Sequence, residues 1–271
     1  MRGLFTAGIL DVLMEHDVNF DGLVGTSAGA AFGCNYKSRQ PGRALRYNKR
    51  FARDARYSGW WSWLTTGNVF NAEFCYHTVP RSYDYFDVEA FDANPMEFHV
   101  VCTDVTNGQA VYHRCDKAND ECYEWIRASS SLPIVSRVVH VGGRQLLDGG
   151  MADNVALRYF QELGYARNVV ILTRPATYVK QPLGYNGLVR LAMWRYPHVA
   201  HAMLTRHKVY RSQIAYVAAE EQAGRALVLR PDEELNIPHV CHDAEAMQRV
   251  YDVGRDMGLR RLNEIQAYLE R

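Results

Sequence analysis

Gly22-Leu23-Val24-Gly25-Thr26-Ser27-Ala28-Gly29-Ala30-Ala31 is the stretch on which the reading of this chain turns. It carries a G-x-S-x-G core, Gly25 to Gly29, between an apolar lead-in (Phe20, Leu23, Val24) and a run of small residues suited to a helix start (Ala28, Ala30, Ala31). A serine in that setting stands on a sharp strand-to-helix turn, its hydroxyl aimed into a pocket and a helix N-terminus behind it. The aligned peptide dipoles there favour developing negative charge. The pattern predicts a nucleophile elbow with Ser27 as nucleophile. It also predicts that Gly25 and Gly29 are glycines because bulkier side chains would collide where strand, turn and helix meet. The pentapeptide alone also occurs in ordinary Gly/Ser turns; its flanks favour the catalytic reading.

Outward from this core, strands alternate with helices. Leu4, Phe5, Ile9, Val12 and Leu13 recur at helical spacing, so a helix covers about 4–16 and the chain opens on a helix with no strand before it. A strand at 20–25 delivers Ser27, and a helix follows to about 36. A basic helix spans 43–53 after Pro41-Gly42, and the aromatic-rich segment 57–85 reads as loop with short helices. Strands are expected at 98–105 and 109–113 across Asn107-Gly108, at 138–141 and 144–147 across Gly142-Gly143, at 168–173 and at 226–230. Helices are expected at 121–130 and 155–163, and a long one after Asp243. The alternation predicts an α/β layered fold.

A second chemical motif lies at Leu146-Leu147-Asp148-Gly149-Gly150-Met151-Ala152-Asp153-Asn154. Asp148 ends an apolar strand, and the two glycines let the backbone turn tightly and hold the carboxylate there. Upstream, Ala128-Ser129-Ser130-Ser131-Leu132-Pro133 reads as a helix end breaking at a proline. Asp153 and Asn154 are expected to cap the next helix.

Together these segments resemble the patatin-like phospholipases, whose pattern is a G-x-S-x-G elbow, an A-S-x-x-x-P segment and a D-G-G/A motif. The resemblance covers about residues 1–175 and leaves 176–271 as a mainly helical extension packed on that core. It implies a mainly parallel central sheet flanked by helices. It also implies a lipid acyl hydrolase working through a Ser-Asp dyad, Ser27 as nucleophile and Asp148 as base, with no histidine demanded. Proton transfer from a serine hydroxyl to a carboxylate needs a desolvated Asp and a preformed oxyanion site. Asp148 is therefore expected to be partly buried and within hydrogen-bond reach of Ser27.

The family builds its oxyanion hole from a G-G-G-x-R-G loop after a first strand. Here Met1 stands at x, and Arg2-Gly3 are the last two residues of the pattern. The strand and glycines are missing from this sequence. Either its start is set too late, or this is a short form with a damaged oxyanion hole; the intact remainder of the motif set favours the first. Gly3 remains a candidate oxyanion donor, and Arg2 a candidate for steering a phosphate or carboxylate, against the reading of a solvated terminal arginine.

With 271 residues, 48% hydrophobic and 23% charged, the chain suits a globular domain with a substantial core. A net charge of +1 gives no argument for nucleic acid. Six cysteines without paired spacing read as reduced thiols of a cytoplasmic protein, and no run is apolar enough to span a membrane. Trp60, Trp61, Trp63, Tyr57, Leu64 and Phe70, beside Arg50, Arg53 and Arg56, could meet a lipid interface or line an acyl pocket; packing in the core is the commoner fate of such a cluster. That interface would make the protein peripheral at the membrane. His198, His201 and His207 with Arg195, Arg206, Lys208 and Arg211 read as a solvated basic helix face. His239, Cys241, His242 and Asp243 read as the approach to a helix start. No metal and no cofactor is assigned. Two rivals stand beside the dyad: a Ser-His-Asp esterase or acyltransferase, and a catalytically silent lipid- or partner-binding protein.

Overall fold

In a computed structural model that describes residues 1–270, the chain opens with α1 (Gly3–Glu15), β1 (Gly22–Thr26), α2 (Ala28–Lys37), α3 (Arg43–Arg50) and α4 (Trp60–Thr66). A π-helical segment, Phe74–Tyr83, leads to α5 (Val88–Ala93), β2 (Glu97–Asp104), β3 (Ala110–Arg114), α6 (Asp120–Ser129), β4 (Val139–Val141) and β5 (Arg144–Asp148). A short 3₁₀ turn, Gly149–Met151, precedes α7 (Leu157–Glu162), β6 (Asn168–Ile171), α8 (Asn186–Ala192), α9 (Pro197–Gln222), β7 (Ala226–Leu229) and α10 (Ala244–Leu269).

Of the 13 residues of α1, 11 are buried, as befits a helix apolar on nearly every side. Its main partner is α10. A Cβ on Gly8 would stand 2.2 Å from the carbonyl oxygen of Tyr251, and one on Gly254 would stand 2.1 Å from that of Phe5. Glycine at both positions lets the two backbones touch. Near this crossing, Asp11 accepts hydrogen bonds from the Tyr251 hydroxyl (2.6 Å) and the Gly42 N–H (2.8 Å). Burial nevertheless pushes its carboxyl above the usual range.

The layered α/β architecture is the expected one, and β2 is the axis of its five-stranded sheet. β1 runs parallel along one edge, from Gly22 opposite Glu97 to Thr26 opposite Val101. β3 takes the other edge antiparallel, from His99 opposite Arg114 to Thr103 opposite Ala110. β5 pairs antiparallel with Cys102, Thr103 and Asp104, placing Asp148 opposite Cys102. A strand has two edges, and β3 already occupies one of them at Cys102 and Thr103, so β5 must share the edge of β1. On that edge β1 ends opposite Val101 and β5, running the other way, ends opposite Cys102. Ser27 follows the first strand and Asp148 closes the second, so strand pairing alone drives the two together. β4 extends the sheet antiparallel beyond β5, and β6 with β7 forms a separate parallel pair. The parallel character thus resides in β1–β2 and β6–β7, and the five-stranded sheet is mixed.

Among the described residues, no strand precedes α1, and the outer edges of β1 and β6 are unpaired. Both line one cavity. The expected boundary near residue 175 falls between β6 and β7, which pair with each other. The segment 57–85 forms α4 and the π-helical stretch. All six cysteines are free thiols. No helix among the described residues is long and apolar enough to cross a membrane.

Candidate active site

Ser27 sits between β1 and α2 with φ +56° and ψ −121°, a conformation that L-residues rarely adopt. The surroundings hold it there. Its N–H donates to Ser129 Oγ (2.8 Å), and Ser129 in turn donates to the Val101 carbonyl (2.6 Å). Its carbonyl accepts from the N–H groups of Ala30 and Ala31. A Cβ on Gly25 would lie 2.4 Å from the backbone nitrogen of Ala30, so the tight elbow requires glycine there. Gly29 corrects the sequence expectation: a Cβ there meets nothing within 4 Å, because the position faces the cavity.

Asp148 is 1% exposed. Its Oδ2 accepts the Ser27 hydroxyl at 2.6 Å, and its Oδ1 accepts the Gly150 N–H at 2.7 Å. Its own N–H donates to the Ser131 carbonyl, and its carbonyl accepts from Thr103 Oγ1 (2.8 Å). Burial pushes the carboxyl above its ordinary range, opposed by the Ser27 hydroxyl, the Arg206 charge and the Gly150 amide. Gly149 lets this turn press on β2, since a Cβ there would stand 2.2 Å from the Val101 carbonyl oxygen. The Ala128–Pro133 segment thus serves both side chains, with Ser129 holding the Ser27 amide and Ser131 holding the Asp148 amide.

Ser129→Ala is expected to leave the Ser27 N–H and the Val101 carbonyl without their partner. A loss of about 1–3 kcal/mol follows from the unsatisfied buried groups, read as a lower Tm. Displacement of Ser27 is expected to lower kcat for the ester hydrolysis proposed below by about 10-fold or more.

Gly3 brings the first turn of α1 against that of α2: a Cβ would lie 2.6 Å from Ala28 Cβ and 2.8 Å from the Phe32 ring. The first-turn amides of Gly3, Ala28 and Gly29 have no acceptor within their own helices. They lie beside Ser27, and the amide after an elbow serine can receive an oxyanion. Ser27 and Asp148 open into a cavity of about 1120 Å³. One wall is largely aromatic, with Tyr57, Phe70, Tyr76, Phe86 and Ile126; Arg43, which also lines it, is paired with Asp84. The other wall carries Arg2, Arg174, Lys180 and Arg206.

The sequence model of the family described as patatin-like phospholipase matches residues 1–160. The chain belongs to the patatin-like phospholipase family. A second model, a domain of unknown function (DUF6363), matches residues 196–270. The chain is similar to an uncharacterized protein, YjjU, of Escherichia coli, at 28% identity over 70% of this chain and 54% of that protein. It is also similar to the lysophospholipase nte1 of Aspergillus niger, at 25% identity over 98% of this chain and 18% of the other. The lysophospholipase NTE1 of Phaeosphaeria nodorum is 25% identical over 95% and 17% respectively. The chain therefore spans about half the length of the first relative and less than a fifth of the other two.

Within the patatin-like phospholipase frame, the remaining sequence candidates separate. Among the described residues, no histidine hydrogen-bonds to Ser27 or Asp148. His239 lines the cavity, with its pKa lowered to about 4 by burial and then by Arg2 and the N-terminal ammonium. His198 and His201 are exposed on α9. Asp243 caps α10, accepting from the N–H groups of Glu245 and Ala246. No three His, Cys, Asp or Glu side chains converge among the described residues. Asp153 and Asn154 do not cap α7, which begins at Leu157 with Ala156 at its N-cap and no side-chain cap. Asp153 instead accepts from Tyr112 (2.7 Å), Gln213 (2.7 Å) and the Val155 N–H (3.0 Å). Arg206, expected on a solvated face, turns inward and donates to Asn154 Oδ1 (3.1 Å). Helical spacing alone hides this, because which face of α9 meets the core depends on how the helix docks. The aromatic cluster divides as well: Tyr57 and Phe70 line the cavity, whereas Trp60 and Trp61 are each 68% exposed on α4.

Proposed function

We propose that this chain is a lipid acyl hydrolase in which Ser27 and Asp148 act as a catalytic dyad. The observation that carries the reading is the direct 2.6 Å hydrogen bond from the Ser27 hydroxyl to a buried carboxylate at the edge of a large, partly apolar cavity. Ser27 Oγ attacks the ester carbonyl while Asp148 takes its proton. Charge developing on the carbonyl oxygen is received by the first-turn amides at Ala28 and Gly3. Collapse of the tetrahedral intermediate breaks the bond to the alcohol oxygen, and Asp148 returns the proton to that leaving group. Water then attacks the acyl-Ser27, again giving up its proton to Asp148, and the acid is released as Ser27 recovers its hydrogen. The step needs no metal or organic cofactor. The acyl chain lies along the largely aromatic wall of Tyr57, Phe70 and Ile126.

The test is labelling by a fluorophosphonate probe together with hydrolysis of short and long p-nitrophenyl esters. Label at Ser27 in the wild type, none in Ser27→Ala, and retention of label in His239→Ala support the dyad. Loss of label in His239→Ala would favour a Ser-His-Asp site. A well-folded wild type that takes no label would favour the silent binding protein.

The exposed side chains Trp60, Trp61 and Leu64 on α4, with Leu188, Leu191 and Trp194 in and after α8, support peripheral docking on a lipid surface. The double variant Trp60→Ser/Trp61→Ser is expected to lower partitioning onto phosphatidylglycerol vesicles by about 10-fold or more. Vesicle co-sedimentation reads this directly. The free thiols support a reducing compartment such as the cytoplasm.

A further inference from the structure

Four cations meet in the cavity beside Asp148. Arg2 precedes α1, Arg174 and Lys180 lie in the segment after β6, and Arg206 comes from α9. Arg206 packs against the D-G-G turn: a Cβ on Gly150 would lie 2.8 Å from its Nη2. Two carboxylates answer them, and both are engaged. Asp148 is held by Ser27 and Gly150, and Glu234 pairs with Arg174. The Nε atoms of Arg2 and Arg206 and the Nδ2 of Asn154 are buried without any hydrogen-bond partner. Lys180 has no carboxylate within ion-pair distance among the described residues; its ammonium lies 4.9 Å from the Tyr210 ring centre. Burial, followed by the Arg206, Arg2 and Arg174 charges, lowers the Lys180 pKa to about 8. Half-buried cations that outnumber their counter-charges are costly to desolvate unless an anion completes the site.

The chemistry at Asp148 fixes which part of a substrate meets this cluster. Asp148 must hand its proton to the leaving alcohol, so the alcohol part of the ester lies on the Asp148 side and the acyl chain on the aromatic side. We propose that Arg2, Arg174, Lys180 and Arg206 form a subsite for a phosphate on the alcohol part of the substrate, so that the preferred esters are acyl glycerol phosphates whose headgroup carries no cation. The proposal rests on the hydrolase reading above. Guanidinium groups suit the oxygens of a phosphate, and a choline ammonium on that phosphate would face the same cluster unfavourably.

The experiment uses the full chain and three monoacyl esters of one chain length in mixed micelles: lysophosphatidate, lysophosphatidylcholine and monoacylglycerol. In parallel, binding of a non-hydrolysable ether analogue of lysophosphatidate is compared with that of inorganic phosphate. Wild type is expected to favour lysophosphatidate over monoacylglycerol by about 10–100-fold in kcat/KM, from charge-assisted hydrogen bonds, with lysophosphatidylcholine between them. Lys180→Met and Arg206→Gln are each expected to cut that ratio about 10-fold and to weaken the ether analogue to a similar degree. Equal kcat/KM for all three esters overturns the subsite while leaving the hydrolase intact. Inorganic phosphate binding as tightly as the ether analogue, with no preference among the esters, assigns the cluster to a free anion and also overturns it. If no ester is cleaved and Ser27 takes no label, the hydrolase reading fails, and the proposed substrate preference fails with it. Tight binding of the ether analogue that weakens in both variants would then keep only the phosphate site. The wild-type ester ratio decides the matter even if a variant fails to fold.

Discussion

Asp148→Asn is expected to lower kcat for ester hydrolysis by about 10²–10⁴-fold, the range of a lost general base, while raising Tm by a few degrees. The amide matches the carboxylate in shape and can still accept the Gly150 N–H, but it cannot take the serine proton. The stability effect has the opposite sign because burial raises the carboxyl pKa in the folded state. The folded chain then binds the proton more tightly than the unfolded one, so at neutral pH the ionised group opposes folding, and this penalty is relieved as pH falls through the raised value. Asparagine removes the penalty at every pH. Hydrolysis should be lost over the same acidic range, since only the carboxylate accepts a proton, with a midpoint above the ordinary aspartate value of 3.8. Steady-state rates against pH, with thermal melts of both proteins, check the pair. A variant that kept a third or more of wild-type kcat would rule out Asp148 as the base. Ser27→Ala should lose hydrolysis at least as completely, yet it leaves Asp148 ionised and without its hydroxyl partner, so no gain in Tm is expected from it. That contrast separates the roles of the two side chains.

The largest expected effect on stability lies far from the chemistry. Gly254→Ala places a methyl carbon only 2.1 Å from the Phe5 carbonyl oxygen. The obstacle is backbone, so no side-chain rotation relieves it, and α10 must move away from α1. Overpacking of this kind costs about 3 kcal/mol, or a fall of roughly 6–12 °C in Tm for a chain of this size. Gly8→Ala meets the Tyr251 carbonyl in the same way and should behave alike. Because both substitutions disturb one crossing, their effects should not add, and a double-mutant cycle by thermal or urea unfolding measures the coupling. Separation of α1 and α10 would also disturb the Asp11–Tyr251 bond at their interface. A Tm within about 2 °C of wild type would show that the helices can slide apart at little cost.

Much of the fold was legible because short-range rules governed it. The apolar spacing of Leu4 to Leu13 marks α1, the Asn107-Gly108 pair marks the β2–β3 hairpin, and Asp243 marks the start of α10. The elbow was legible for the same reason, since strand, turn and helix are contiguous around Ser27. Gly25 is glycine for the crowding the motif implies, but Gly29 is not. That difference rests on what lies opposite each position in space. Asp153 had the composition of a cap and became the centre of a network with Tyr112 and Gln213, because the folded chain supplied stronger partners than the next turn of helix.

Local pattern was therefore enough to single out Ser27 and Asp148 as candidates, each at the end of its own strand, because such signals depend only on neighbours along the chain. Their meeting was decided by pairing: β1 and β5 arrive from opposite directions on one edge of β2 and stop at adjacent residues, Val101 and Cys102. The cationic wall was decided the same way. Arg2, Arg174, Lys180 and Arg206 span more than two hundred positions of chain, and only the docking of α9 against the D-G-G turn turns a helix-surface arginine into a lining residue of the cavity. Contacts between residues far apart in sequence leave no periodic trace, so they exist only once the chain has closed on itself.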